Sequence, residues 1–158
     1  MDIKSLVEES KGLYNGEPWF GTSIMGSLKN ISPEFWNLRP ENTSNSIASI
    51  VCHMINWRGF VIEKLKENAS FDIELDTKED WRENVSVSTE EEKKEILAEL
   101  RASQEELEKL ILEKKVSWLK ENTVGKKYTN SYMLHGILQH DAYHLGQINL
   151  IRSQLRKV

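Results

Sequence analysis

The sequence of 158 residues contains one cysteine, three prolines and no run of about 18 apolar residues. The single cysteine, Cys52, excludes a disulfide within the chain and is typical of a protein from a reducing compartment. No segment is expected to cross a membrane. The first residues, MDIKSLVEES, lack the basic start and apolar block of a signal peptide. We therefore expect a cytoplasmic protein with no membrane partner.

The chain also lacks an excess of positive charge. It carries 21 Lys and Arg residues against 25 Asp and Glu residues, a net charge of −4. Because a nucleic-acid surface is normally a basic patch, no nucleic-acid partner is expected. The hydrophobic fraction of 39% and the length are typical of one soluble domain with a substantial core. We predict a single helical domain over residues 1–158.

No window alternates apolar and polar residues with a period of two, so no strand is predicted. Apolar residues recur instead at helical spacing. They predict helices over 2–14, from Pro18 to about Asn30, from Ile47 to Leu65, from Ser88-Thr89 to Ile111, and from Ser131 nearly to the C-terminus. The segments 31–40, 68–87 and 116–130 are predicted connections. This arrangement predicts an all-α four-helix bundle.

Local signals refine the ends of these helices. Ser44–Ser46 offers N-cap candidates for the helix at Ile47, and Ser88 and Glu91 have the spacing of a capping box. Trp19 and Phe20 are predicted to begin the apolar stripe of the second helix. Three residues of the connection 31–40 are predicted to bury their side chains in the core: Phe35, Trp36 and Leu38.

The stretch Gly136–Gln147, GILQHDAYHLGQ, carries the clearest chemical signal. His140 and His144 are four residues apart and Gln147 follows three residues later, so the three lie on one face of a helix. The two histidines interrupt an apolar seam that is continued by Ile137, Ile148, Ile151 and Leu155. Two imidazoles on a buried face need partners, and at this spacing they offer half of a metal site.

His53 supplies a third imidazole from a separate helix. It stands three residues after Ile50 and four before Trp57, at the edge of an inward face. Three neutral imidazoles on facing helices can bind a divalent metal and leave a position open. The same pattern fits hydrogen-bonded core histidines without a metal, and spacing alone leaves both interpretations open. His135 falls on another face of its helix.

Other reactive side chains give weaker predictions. Cys52 adjoins His53, but neighbours on a helix diverge by about 100°, so Cys52 is predicted to be a core residue and not a nucleophile. Asp141 is predicted either to hydrogen-bond across helices or to take a solvated or capping role. Tyr132 and Tyr143 are predicted chiefly as packing rings, and so are four tryptophans, of which one or two could instead wall a pocket: Trp19, Trp36, Trp57 and Trp81. No phosphate-binding loop or nucleophile triad is visible, so no catalytic residue is assigned.

The chain resembles the DinB/YfiT-like family over essentially its whole length, and four motifs carry the resemblance. They are GEPWFG at 16–21, Arg39-Pro40, HMINWR at 53–58 and LHGILQHDAYHLGQ at 134–147. The last is the most specific, because its HxxYHxxQ pattern stands at the right place relative to His53. The family's Trp-Pro pattern in the loop before the third long helix appears here as Trp81-Arg82. The resemblance implies a four-helix bundle that is frequently a homodimer.

The resemblance also implies a divalent metal held by His53, His140 and His144, with zinc, nickel or iron suited to imidazole ligands. Relatives include bacillithiol or glutathione S-transferases and a mycothiol-dependent isomerase, and others are described as metal hydrolases. A metal-dependent transferase using a low-molecular-weight thiol, or a hydrolase, acting on a small-molecule substrate is therefore expected. Gln147 is expected to hold a ligand ring or a bound water. The alternative is a non-catalytic dimeric bundle that binds a metal or a small ligand in a stress response.

Overall fold

The computed structural model describes residues 2–39 and 45–155, with the side chain of Leu155 excepted. In these ranges it contains five α-helices and no β-strand: α1 (Ile3–Asn15), α2 (Ile24–Leu28), α3 (Ile47–Leu65), α4 (Glu90–Leu112) and α5 (Asn130–Leu155). Two 3-10 turns, Pro33–Phe35 and Val116–Lys120, lie in the connections. The predicted all-α fold is confirmed, and no helix in the described ranges is long and apolar enough to span a membrane.

The four longer helices form a bundle. Both α1 and α3 pack against α4 and α5, so the core lies between these two pairs. Among the described helices, α3 supplies the largest share of the buried apolar residues of the core, and its Ile47, Val51 and Met54 are completely buried. The predicted roles of Pro40 and Ser44, and of the Leu155 side chain in the apolar seam, fall outside the described part of the chain. A single domain over all of 1–158 stays a prediction.

The connection after α2 was predicted to bury three residues in the core, and one of them is fully buried. Trp36 is fully buried, and its Nε1 donates a hydrogen bond to the carbonyl of Ile31 at 3.3 Å. Phe35 is half-buried and packs against the core. The prediction for Leu38 is wrong, because its side chain is exposed. The preceding residue, Asn37, faces inward to exchange two hydrogen bonds with the backbone of Val87, and this orientation leaves Leu38 on the solvent side.

The second helix is much shorter than predicted. Gly21 has a φ of +127°, a backbone conformation that no α-helix contains, so a helix cannot run on from Pro18. The helix begins at Ile24, where Ser23 accepts a hydrogen bond from the backbone N–H of Gly26 at 3.3 Å. Trp19 and Phe20 therefore do not begin a buried stripe, and both are exposed.

The start of α4 is a capping box displaced by one residue from the predicted one. Thr89 accepts a hydrogen bond from the backbone N–H of Glu92, and the Glu92 carboxylate accepts one from the backbone N–H of Thr89 at 3.1 Å. The pair is thus Thr89 and Glu92, whereas Ser88 and Glu91 were predicted. Ser88 lies before the cap and donates its backbone N–H to the same carboxylate at 2.6 Å. At α3, the cap is Ser46, which lies within the stretch 44–46 that offered the candidates.

Replacing Thr89 with alanine is expected to lower the free energy of unfolding by about 1 kcal/mol, because the backbone N–H of Glu92 loses the hydroxyl that accepts its hydrogen bond. Urea denaturation measures the change. Ser88→Ala is the matched control, since only the backbone of Ser88 takes part, and it is expected to stay within about 0.5 kcal/mol of the parent. A larger loss in Ser88→Ala than in Thr89→Ala would contradict the observed position of the cap.

The long connection between α3 and α4 folds back over α3. Asn56 on α3 donates a side-chain hydrogen bond to the carbonyl of Glu79 at 2.9 Å and accepts one from Arg82 Nε at 2.9 Å. Arg82 also forms a 2.8 Å ion pair with Glu99 on α4. These contacts fix Asp80 and Trp81 over α3 at the level of His53.

Candidate metal centre

The structure brings three histidines together at one point inside the bundle. The Nε2 atom of His140 lies 3.0 Å from Nε2 of His53 and 3.1 Å from Nε2 of His144. His53 projects from α3, and His140 and His144 project from successive turns of α5. His53 and His144 are only 5% and 4% exposed, whereas His140 is partly open to solvent. The three residues singled out from the sequence therefore form one cluster whose ring nitrogens could hold a metal ion.

The outward-facing nitrogens of two of these rings are hydrogen-bonded to acceptors. His53 Nδ1 lies 3.0 Å from the carbonyl oxygen of Asp80 and 3.1 Å from its Oδ1. His144 Nδ1 lies 2.7 Å from Oε1 of Gln147, whose amide nitrogen donates to the hydroxyl of Tyr143 at 3.1 Å. Since the partners of both Nδ1 atoms are acceptors, each Nδ1 carries the proton and each Nε2 presents a bare lone pair.

This arrangement fits a divalent cation. With protons on Nδ1 of His53 and His144, neither Nε2 can donate, and a proton on His140 Nε2 could serve only one of its two neighbours. Without a cation, at least one of the two close Nε2–Nε2 contacts would lack a hydrogen bond and would leave a bare lone pair facing a nitrogen atom at about hydrogen-bond distance. A tetrahedral zinc with Zn–N distances of about 2.0–2.1 Å holds its nitrogen ligands about 3.3 Å apart, close to the separations seen here. The donor set and its spacing therefore match a cation bound between the rings.

The electrostatic surroundings keep the rings in the form that binds metals. Burial lowers the pKa of His53 below its ordinary value, and the neighbouring His140 lowers it further. Burial, with a contribution from His140, lowers the pKa of His144 to about 4. Both rings are uncharged at neutral pH, so no proton has to be displaced from their Nε2 atoms before a cation binds.

Two tryptophans frame the cluster. Trp81 stacks on His53, with ring centroids 3.9 Å apart and an interplanar angle of 10°. The ring centroids of Trp57 and His140 are 5.8 Å apart, and Nε1 of Trp57 donates a hydrogen bond to Asp80 Oδ1 at 2.8 Å. Asp80 is itself held by the backbone N–H of Asp76, which donates to Oδ2 at 3.0 Å. A single carboxylate thus fixes both a tryptophan and a histidine, and the ring of Trp81 covers one face of His53.

A buried ion pair fastens α3 to α5 beside His140. Arg58 donates from Nε and Nη2 to Asp141 Oδ2 at 2.9 and 2.8 Å, and the two residues are 1% and 3% exposed. Burial by itself would raise the pKa of Asp141, but the adjacent guanidinium holds it below its usual value. The other carboxylate oxygen lies 3.7 Å from His140 Nδ1. Of the two interpretations of Asp141, hydrogen bonding across helices is the one observed.

Sequence reasoning missed Asp80 and the partnership of Arg58 with Asp141. Asp80 lies 27 residues from His53 in a segment without periodicity, so no local pattern connects them. Two of the remaining candidates, His135 and Cys52, are not members of the cluster. His135 bonds the carbonyl of Ser131 within α5, and Cys52 is buried, which raises the pKa of its thiol. The structure thus supports the prediction that Cys52 is a core residue.

Helical bundles can hold a metal between side chains of facing helices, and the three imidazoles of α3 and α5 that converge on one point are a candidate site of this kind. The family model of the DinB superfamily matches residues 23–148, a range that contains all three histidines and Gln147. The chain belongs to the DinB superfamily. Neither a curated protein nor a solved structure shows a significant match to it.

Proposed function

We propose that this chain is a metal-dependent enzyme whose divalent cation is held by His53, His140 and His144. The observation that carries the proposal is the convergence of three Nε2 atoms, with separations of 3.0 and 3.1 Å, while acceptors hold Nδ1 of His53 and His144. Zinc and nickel suit this donor set, and ferrous iron is compatible with it. When bound, such a cation supplies Lewis acidity that lowers the pKa of a thiol or a water molecule.

The chain's own residues would position the reaction. Asp80 and Gln147 hold the rings of His53 and His144 in one tautomer and one orientation, which is the usual task of groups behind metal-binding histidines. Trp81 keeps water from one face of His53. His140 is the most open of the three, so substrate would approach from its side.

The reaction we favour is transfer of a low-molecular-weight thiol to an electrophilic small molecule. A carbon–sulfur bond forms, the leaving group departs with the bonding electron pair, and the thiol proton passes to solvent. The resemblance to thiol-dependent members of the family supports this reaction. In this reaction the thiol would come from outside the chain, because Cys52 is buried and burial raises the pKa of its thiol, which makes it a poor nucleophile. Hydrolysis, with water in place of the thiol, is the second candidate.

The test compares metal-free protein with protein loaded with zinc, nickel or ferrous iron. Each sample is assayed with glutathione, bacillithiol or mycothiol and a chromogenic aryl halide, and with a nitrophenyl ester for hydrolysis. We expect at least about tenfold faster turnover in one metal-loaded sample, which corresponds to a barrier lower by about 1.4 kcal/mol.

The matched controls are His144→Ala, which is expected to abolish the metal-dependent rate, and His135→Ala, which is expected to retain it. Equal turnover with and without every metal would contradict the enzymatic proposal. Bound metal together with such equal turnover would support the non-catalytic metal-binding alternative. Size-exclusion chromatography with light scattering tests the homodimer, which stays a prediction.

A further inference from the structure

A small apolar pocket opens beside His140, between α3 and the first turns of α5. Its volume is about 240 Å³. Phe60 and Val61 of α3 and Met133 and Ile137 of α5 form its floor, and none of these four is more than 5% exposed. His140 is the one histidine of the cluster that lines the pocket. The pocket therefore joins the candidate metal centre on its open side.

Aromatic rings form the walls and the entrance of this pocket. Trp57 meets Phe60 edge to face, with ring centroids 5.5 Å apart. Tyr128 and Tyr132 lie 5.4 Å apart, and Tyr132 is exposed to solvent at the entrance. Such walls favour flat or branched apolar groups, which gain contact area with every ring they touch.

No acidic or cationic side chain of the described chain lines the pocket. Two ammonium groups lie 5.4 Å from the centre of the Phe60 ring, but both are already engaged. Lys64 Nζ donates to the carbonyls of Asn68 and Phe71, and Lys126 Nζ forms an ion pair with Asp72 at 2.6 Å. A charged group placed inside would lose its hydration without gaining an opposite charge.

We propose that this pocket binds an uncharged aromatic or branched aliphatic group of the substrate and holds the reacting atom beside His140. The inference rests on the proposed function, since it names the substrate class of the same site. A volume of about 240 Å³ is below the range of about 300–1,000 Å³ found for sites that enclose whole ligands. The pocket takes one ring or a short branched chain, and polar parts of the substrate remain outside.

Gly136 keeps the pocket open. It lies within α5 and lines the pocket, and a Cβ atom added to it would meet no heavy atom within 4 Å. A larger side chain at this position would enter the free volume without disturbing the helix, which glycine weakens relative to other residues. Gly146 lies on the exposed side of the same helix and has equally free space around it, so it offers a matched control.

The test titrates the zinc-loaded full chain with benzohydroxamate and acetohydroxamate, which share a metal-binding group and differ in the apolar part. We expect the parent to bind benzohydroxamate about 10- to 100-fold more tightly, because the phenyl ring leaves water. Gly136→Leu is expected to remove this preference and Gly136→Ala to reduce it, while Gly146→Leu retains it. Equal affinities in the parent, or an unchanged preference in Gly136→Leu, would overturn the inference.

Metal content and a second probe separate this inference from the proposed function. All the glycine variants are expected to bind as much zinc as the parent. If the parent binds no metal, the proposed function fails, and the pocket is then tested by titrating metal-free protein with phenol and recording the methyl resonance of Met133. A shift in the parent and in Gly146→Leu but not in Gly136→Leu would support the pocket. No shift in the parent would overturn it.

Discussion

Replacing Asp141 with alanine is expected to lower the free energy of unfolding by about 3–5 kcal/mol, because it leaves a buried charge without its partner. Arg58 is 1% exposed, and both of its short contacts to a carboxylate go to Asp141 Oδ2, at 2.9 and 2.8 Å. Without that carboxylate the guanidinium must remain desolvated and unpaired, or draw water into the bundle. Urea denaturation of the metal-free protein measures the loss apart from any effect of metal binding.

Two controls separate the buried charge from a general loss of packing. The double replacement Arg58→Met with Asp141→Leu removes both charges, and it is expected to recover most of the stability lost in Asp141→Ala. Lys66→Ala removes a surface ion pair with Glu106, and it is expected to cost less than about 1 kcal/mol. A cost for Asp141→Ala no larger than for Lys66→Ala would contradict the buried ion pair.

Replacing His144 with alanine is expected to weaken the binding of zinc or nickel by at least about 100-fold. Mutating a residue that only hydrogen-bonds to a metal ligand usually weakens binding by about 10- to 100-fold, and the loss of a ligand itself is expected to cost more. The substitution removes one of the three converging Nε2 atoms and leaves the Gln147 side chain without the ring that it orients. Competition with a chromophoric chelator measures the affinity of the folded variants.

His135→Ala is the matched control for this loss, because it removes a histidine from the same helix without touching the cluster. Its affinity for metal is expected to equal that of the parent. If His135→Ala and His144→Ala weakened binding equally, the metal would have to be bound somewhere other than the cluster.

The sequence was most informative where function depends on residues close together along the chain. The relative position of His140 and His144 depends only on the pitch of a helix. Their spacing in the sequence therefore correctly predicted that the two rings lie next to each other. The inward position of His53 followed from the apolar residues on either side of it in α3. Periodicity does not specify which helix faces pack together. The prediction that α3 and α5 meet at the level of the three rings therefore depended on the resemblance to a family.

The parts that could not be predicted depend on contacts between distant segments or on single backbone angles. Asp80 reaches His53 from a connection whose course is fixed by Asn56 and Arg82, and no pattern in residues 68–87 encodes that course. The length of α2 depends on the positive φ of Gly21, although the apolar spacing around it is helical. Sequence periodicity alone predicts neither the course of that connection nor the backbone angle of Gly21.

The central claim is that three imidazoles hold one divalent cation, and the most direct test is the X-ray absorption spectrum of the zinc-loaded protein at the zinc edge. The account predicts three imidazole nitrogens at about 2.0–2.1 Å from one zinc ion per chain. In His144→Ala the number of imidazoles is expected to fall by one, and in His135→Ala it is expected to remain at three. A shell made only of oxygen ligands, or a spectrum that is unchanged in His144→Ala, would contradict the account.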